Sequence, residues 1–207
     1  IMKPSIPEQL CDTAAYAYGC ADAVVAVSSA LGNKIEKEFQ LESICVPNTV
    51  NTSIFTYLPR GDNDSFSFVS VGSLVPGKRM DLTIKAFHEA FHGNPHVSLT
   101  IFGEGAERSK LERFVREHRL ENQVVLKGLQ SREVIADSLK VCDCFVLASR
   151  TETFGVAYVE ALASGVPVIA TRCGGPEDFV HEDNGCLIPI DDLGALVEAM
   201  KYMYTHA

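Results

Sequence analysis

Long apolar runs are missing from this sequence: no stretch approaches the roughly 18 residues that a membrane-crossing helix needs. The opening residues Ile1-Met2-Lys3-Pro4 carry no signal-peptide pattern, and Ile1 reads as a start inside a longer protein. Positive charge is scarce too, with 18 Lys and Arg against 27 Asp and Glu and a net charge of −9. Phosphate-backbone affinity is built from clustered Lys and Arg, so the balance argues against a general nucleic-acid binder. A small anionic ligand needs only a local cluster of donors and stays open. Cysteine provides no framework: the seven are odd in number and scattered. They read as reduced thiols of a cytosolic protein, placed mostly in the core. Cys142 and Cys144 flank Asp143, yet two further ligands at metal-binding spacing are lacking. Repeats and low-complexity tracts are absent as well.

What the chain holds is apolar material in short pieces. Of its 207 residues 46% are apolar and 22% charged, the balance of a globular protein with a sizeable core. From Ser65 onward, strand-like runs at 66–71, 97–102, 124–126, 145–147, 166–170 and 186–188 alternate with helical stretches. Helices are expected at 81–91, 105–119, 132–141, 156–164 and 176–180, with a last one starting near Asp191. Leu111, Phe114, Val115 and His118 fall at helical spacing, with charges on the other face. The strands are apolar nearly throughout, as when helices cover both faces of a parallel sheet. This alternation predicts an α/β fold, a doubly wound Rossmann-like parallel sheet.

The first fifty residues differ. A helix is read at 7–19, a buried strand at 23–27, an N-cap at Ser28, a second helix at 31–39 and a short strand at 44–46. The breaker-rich segment Pro59, Gly61, Asp62, Asn63, Asp64, Ser65 follows. Two βα units and a linker resemble the end of a domain. The first strand should then lack neighbours, an edge expected to be hidden by dimerising, swapping or packing on the second domain.

Four segments carry candidate chemistry, each at the carboxyl end of an expected strand, where open α/β sheets bind ligands. In Val71-Gly72-Ser73-Leu74-Val75-Pro76-Gly77-Lys78-Arg79 a glycine permits close backbone approach, and two cations suit a diphosphate. Phe102-Gly103-Glu104-Gly105 is a tight strand-to-helix turn that lacks the third glycine of a dinucleotide fingerprint. In Glu152-Thr153-Phe154-Gly155-Val156-Ala157-Tyr158-Val159-Glu160, Gly155 and Val156 should open a helix whose free N–H groups hold phosphate or sugar oxygens. Glu152 is placed beside the sugar. Glu160, a turn inside the helix, can accept two hydroxyl hydrogens of a ribose diol. The fourth segment, Ser164-Gly165-Val166-Pro167-Val168 with Gly174-Gly175-Pro176-Glu177, combines a helix end, a buried strand and a turn that could face the pocket.

Taken in order with Pro47-Asn48 and Gly128, these segments resemble the retaining GT-B glycosyltransferases of the glycosyl transferases group 1 family, often called family 4, over residues 20–207. The resemblance implies two Rossmann-like domains facing across a cleft. Residues 1–55 would be the end of the acceptor domain with its linker, and residues 56–207 the nucleotide-sugar-binding domain. It implies hexose transfer from a UDP or GDP sugar, with retention, to a polysaccharide or glycolipid precursor. No cofactor or bound metal is expected, and the fragment alone should bind donor but transfer poorly. Lys78 resembles the lysine that neutralises the leaving diphosphate, Glu152 the glutamate near the transferred sugar, and Glu160 the ribose ligand. Gly72, Ser73, Gly103, Phe154, Gly155 and Val156 would line the donor site, and Gly128-Leu129 would hold the base, with Leu126 or Leu129 as apolar wall. The family commonly has Arg where Ser73 stands, so a diphosphate contact is lost or moved to Arg79. A cytoplasmic protein is implied, able to touch the inner face of a membrane through the missing domain.

Other patterns compete. His88-Glu89-Ala90-Phe91-His92 reads as the zinc-protease motif, but on a crossover helix away from the carboxyl-end loops. Asp62-Asn63-Asp64 matches a metal–diphosphate motif of another glycosyltransferase fold, but falls in a linker. His118, His181 and His206 read as surface or boundary residues, and Phe39, Phe55 and Phe114 as core or interface. A non-catalytic sugar-nucleotide-binding module, a sugar-nucleotide epimerase and a phosphorylase share the architecture and remain rivals.

Overall fold

The computed structural model describes residues 8–59, 61 and 64–206, with backbone only for 8–11. Asp62 and Asn63 of the metal–diphosphate motif, Pro7 of the first helix, and Ile1 lie outside the described residues. The elements run α1 (Glu8–Gly19), β1 (Val25–Ala26), α2 (Ser29–Phe39), β2 (Ile44–Cys45), β3 (Phe66–Val71), α3 (Met80–Phe91), β4 (Val97–Phe102) and α4 (Arg108–Glu117). Then come β5 (Val124–Gly128), α5 (Arg132–Val141), β6 (Cys144–Leu147), α6 (Val156–Ala163), β7 (Val168–Thr171), β8 (Gly185–Ile188) and α7 (Leu193–Thr205). Single 3₁₀ turns stand at Pro76–Lys78 and Gly175–Asp178.

Six strands form one parallel sheet in the order β5-β4-β3-β6-β7-β8. From β3 the chain steps outward through β4 to β5, returns to β6 beside β3, and steps the other way. The order therefore reverses between β3 and β6. Right-handed crossovers on the two sides of that reversal send helices to opposite faces and open a crevice at the carboxyl ends. Every residue of β6 and β7 is buried, whereas β5, at the sheet edge, alternates buried and exposed positions. Phe68 on β3 meets Phe87 and Phe91 of α3 edge-on or tilted, and α7 packs over α3. Phe55, which the sequence reading leaves in the preceding unit, is fully buried in this core.

Three expected elements are corrected. The helix read at 105–119 begins only at Arg108, because Leu74 N–H donates to Glu104 O and Glu107 N–H to Leu74 O, pinning the intervening turn to the β3 loop. The helix read at 176–180 is only a 3₁₀ turn, since Gly174 takes φ 118° and the turn is laced to the loop before α6. The strand read at 166–170 starts at Val168, because Gly165 has φ 74° and Val166 N–H still closes α6 onto Ala161 O.

The first unit pairs β1 with β2 in parallel, Val25 opposite Ile44 and Ala26 opposite Cys45. Ser28 caps α2 as read, accepting from Leu31 N–H. The strand read as buried at 23–27 is buried on one face only: Ala26 is fully buried, whereas Val25 is 55% exposed, with Ile44 and Val46 exposed beside it. Among the described residues it has one neighbouring strand and no covering layer on that side. Cys20 and Cys45 are likewise exposed rather than core, while Cys142, Cys144 and Cys173 are buried.

Candidate functional site

Lys78 and Glu152 meet at the crevice between β3 and β6. Gly72 leaves β3 with its N–H bound to Phe102 O, the fully buried Leu74 anchors the next turn, and Pro76–Lys78 closes it as 3₁₀. Proline at the start of that turn presets φ. Lys78 Nζ then lies 2.6 Å from Glu152 Oε1, which also accepts from Ser149 Oγ at 2.7 Å. Ser149 is fully buried. An ammonium offers three donors; one is used on Glu152, and the others can serve an anion. A carboxylate held from two sides fixes that ammonium in advance, as stabilising a developing charge requires.

The loop carrying Glu152 is built by glycine. Gly155, at φ 95°, caps α6, so Val156 opens the helix as read. Glu152 pairs with Gly174 as an isolated parallel bridge, and Gly175 N–H donates to Glu152 O. A Cβ on Gly175 would stand 2.3 Å from Phe154 backbone atoms. The Gly174-Gly175-Pro176-Glu177 turn therefore packs behind the Glu152 loop and supports it. Phe154 is buried against Phe179, with ring centroids 5.2 Å apart. Its side chain is structural, and only its backbone is left for a ligand.

On the other side of β3, Gly103 at φ 139° lies against Gly72. Gly72, Ser73, Gly103, Glu104, Leu129 and Gln130 line a cleft of about 230 Å³. Four of the expected donor residues thus share one surface, and Leu129 is 79% exposed at its rim. Gly128, at φ 73°, ends β5 behind them, next to Glu104. A larger groove of about 570 Å³ runs along the edge strand β8 beside Tyr202 and holds no expected site residue.

Arg79, the expected substitute for a diphosphate contact, also faces acids. It has φ 52°, and its guanidinium is engaged by Asp81, at 3.0 Å, and by Asp191. Nε and Nη1 are spent on these acids, which leaves Nη2 to answer the phosphate contact missing at Ser73. Asp191 also takes Arg150, whose N–H donates to Gly77 O, so two arginines latch the Lys78 turn from outside.

Glu160 lies on α6, nearly buried, with Oε1 receiving Arg132 Nη2 at 2.5 Å. Burial pushes its carboxyl above the usual range, and the Arg132 charge opposes that. The guanidinium of Arg132 in turn sits 5.3 Å from the centre of the Phe55 ring. Ser149, Arg150, Asp191 and Arg132 escaped the sequence reading. Ser149, three residues before Glu152 at a strand end, carries a faint signal; nothing in the sequence joins Arg132 to Glu160. The first unit also reaches the site: Ser28 Oγ donates to Thr153 O at 2.5 Å, and Ser29 N–H to Asp178 Oδ2 at 2.7 Å.

The competing motif at His88 lies on α3, as read. The rings of His92 and His118 flank His88 at 4.8 and 4.9 Å, yet among the described residues no group of three ligands is arranged to hold a metal ion. No helix of the described residues is long and apolar enough to cross a membrane.

A family model described as glycosyl transferases group 1 matches residues 59–206. An uncharacterized glycosyltransferase of Methanocaldococcus jannaschii is 32% identical over 173 residues, covering 83% of this chain and 46% of that protein. The GtfA subunit of the UDP-N-acetylglucosamine–peptide N-acetylglucosaminyltransferase of Streptococcus pneumoniae is 32% identical over 126 residues, 60% of this chain and 24% of that one. Sucrose-phosphate synthase from Thermosynechococcus elongatus superposes with TM-score 0.85 at 25% identity, over 96% of this chain and 53% of its own. Anabaena HepE, solved in complex with UDP and glucose, gives TM-score 0.83 at 22% identity, over 96% and 58%, a likeness of fold. The chain spans less than half the length of the two sequence relatives.

Proposed function

The chain belongs to the glycosyl transferases group 1 family, and from that premise we propose that it carries the donor-binding half of a retaining, nucleotide-sugar-dependent glycosyltransferase. Residues 56–207 bind a UDP or GDP hexose, and residues 1–55 are the end of the acceptor domain with its linker. The hexose passes to a saccharide or lipid-linked acceptor held by the rest of that domain. One observation carries the reading: Lys78 Nζ stands 2.6 Å from Glu152 Oε1 at the strand-order reversal. The UDP-bound HepE structure, alike in fold, supports it.

As the bond from sugar C1 to the diphosphate breaks, negative charge gathers on the departing phosphate oxygen. Lys78 meets that charge, with Glu152 and Ser149 holding its ammonium in place. Glu152 keeps its second oxygen for sugar hydroxyls. The free N–H groups at the start of α6, from Gly155 and Val156, receive sugar or phosphate oxygens. Gly72, Ser73 and Gly103 let the donor approach backbone closely, Gly128 and Leu129 border the base, and Glu160 takes the ribose diol. Exposed Val25, Ile44 and Val46 await a covering surface, the missing acceptor-domain strands or a second copy of this chain.

Calorimetric titration with UDP, GDP, ADP and their hexose conjugates tests the reading. Binding of one base class, weakened by Glu160→Ala, is expected; a folded chain that binds none speaks against it. A non-catalytic binding module has one observation in its favour, the engagement of Arg79 by two acids, which occupies Nε and Nη1 beside Ser73. Full-length protein that binds donor without transferring or hydrolysing it would select that alternative.

A further inference from the structure

Arg132 is the first residue of α5, behind the N-cap Ser131. A cation is ill placed there, because the helix N-terminus carries partial positive charge and favours acids. What offsets the misplacement is in the tertiary structure. The guanidinium spans the fully buried Phe55 ring and the Glu160 carboxylate, two partners that come from the linker and from α6. Its side chain is 56% exposed while that of Glu160 is 11% exposed, so the arginine lies over the buried acid from the solvent side. It also stands two residues after Gln130, which with Leu129 lines the cleft proposed for the base.

We propose that Arg132 is the positioning residue of the ribose subsite: seated on Phe55, it holds the Glu160 carboxylate through Oε1 and stays there when nucleotide binds, leaving the other oxygen to the diol. This rests on Glu160 being the ribose ligand. A plug that must leave before nucleotide enters is the alternative, and the geometry disfavours it. The contact runs from one nitrogen to one oxygen rather than as a two-pronged pair, and the guanidinium keeps its aromatic seat as a second anchor.

The chemistry requires such a partner. A diol donates hydrogens, so its carboxylate must be ionised; the neutral acid gives up part of its acceptor capacity to a proton. Burial drives Glu160 towards that neutral form, and among the described residues Arg132 is the charge that acts against it. Without Arg132 the carboxyl protonates at higher pH, and binding of a ribose diol is lost progressively as pH falls.

The test uses UDP and GDP as probes, with native chain, Arg132→Gln, Arg132→Lys and Glu160→Gln, across pH 5.5–8. Arg132→Gln should therefore lose affinity for the accepted nucleotide progressively towards the acid end and recover it towards pH 8, with Arg132→Lys in between. Carbon-13 titration of the Glu160 carboxyl should show its midpoint rising in Arg132→Gln, a shift that loss of packing alone would not produce. Tighter binding by Arg132→Gln identifies a plug and overturns the proposal. Unchanged binding and an unmoved Glu160 midpoint overturn it too, while leaving the donor-site reading standing if Glu160→Gln still weakens binding. If native chain binds neither nucleotide, or Glu160→Gln is without effect, the donor-site reading falls and the proposal with it.

Discussion

A Cβ on Gly103 would stand 1.9 Å from the carbonyl oxygen of Gly72. The two glycines end neighbouring parallel strands, β4 and β3, and their contact brings the β3 loop and the cleft beside Leu129 into one surface. No side chain fits at Gly103, and at φ 139° none would be free of backbone strain.

Gly103→Ala should therefore lose at least about 2 kcal/mol in urea unfolding, strain and displaced backbone acting together. Gly77→Ala is the control, because a Cβ there meets nothing within 4 Å. It should stay within about 0.5 kcal/mol of native. Equal losses at both positions would refute the close-contact account.

Lys78→Ala should weaken nucleoside diphosphate binding by about 10- to 100-fold, the range expected for a lost charge-assisted hydrogen bond to phosphate. Stability should fall by about 1 kcal/mol or less, because Lys78 is partly exposed and solvent screens the pair. Calorimetry and urea unfolding on the same samples separate the two effects. A binding loss no larger than that of a surface lysine such as Lys127 would remove Lys78 from the site.

The histidine cluster sets a pH dependence. His88 is held below its ordinary value by burial first, then by the neighbouring His118 and His92 charges, with Glu89 opposing. For a base with a depressed native value the unfolded chain takes its proton first, so stability falls as pH drops below about 6.5. The melting temperature should decline between pH 7 and 5, and His88→Gln should flatten that slope. A slope unchanged by the substitution would exclude His88 as its source.

Ser28→Ala removes an N-cap and the bond to Thr153 together. A loss of about 1–2 kcal/mol is expected, the upper part of the range for a cap. If the first unit packs on the Glu152 loop as described, amide exchange around Thr153 should quicken as well. Protection there that does not change would mean that the contact carries no stability.

The exposed Val25–Ile44 pair predicts self-association of the isolated chain. Sedimentation should show a concentration-dependent dimer, reduced by Val25→Lys, since a charge on a strand edge discourages pairing. A monomer at every concentration would count against dimerising and swapping alike.

Much of the fold could be read from residue order. The strands at 66–71 and 97–102 and the helix at 132–141 stand where their patterns place them, because strand runs and helix caps are local matters of burial and backbone donors. Element ends were less legible where a remote loop decides them. The late start of α4 depends on Leu74, and the shortened turn at Gly175–Asp178 on Glu152 and Phe154. Phe154 shows the same limit inside the site: its motif marks it as a donor neighbour, and the ring of Phe179 draws its side chain into the structure instead.

By itself the sequence determined the parallel α/β sheet, the carboxyl-end loops that bear Lys78 and Glu152, and the place of Glu160 inside the following helix, since these follow from periodicity, glycine placement and short-range spacing. Only the tertiary structure decided which charges meet. Lys78 found Glu152 across 74 residues and Arg132 found Glu160 across 28, while Arg79 turned out to be taken by Asp81 and Asp191. The reason is that an ion pair forms where the sheet order and loop packing bring two side chains within a few ångströms, and no local rule along the chain encodes that distance.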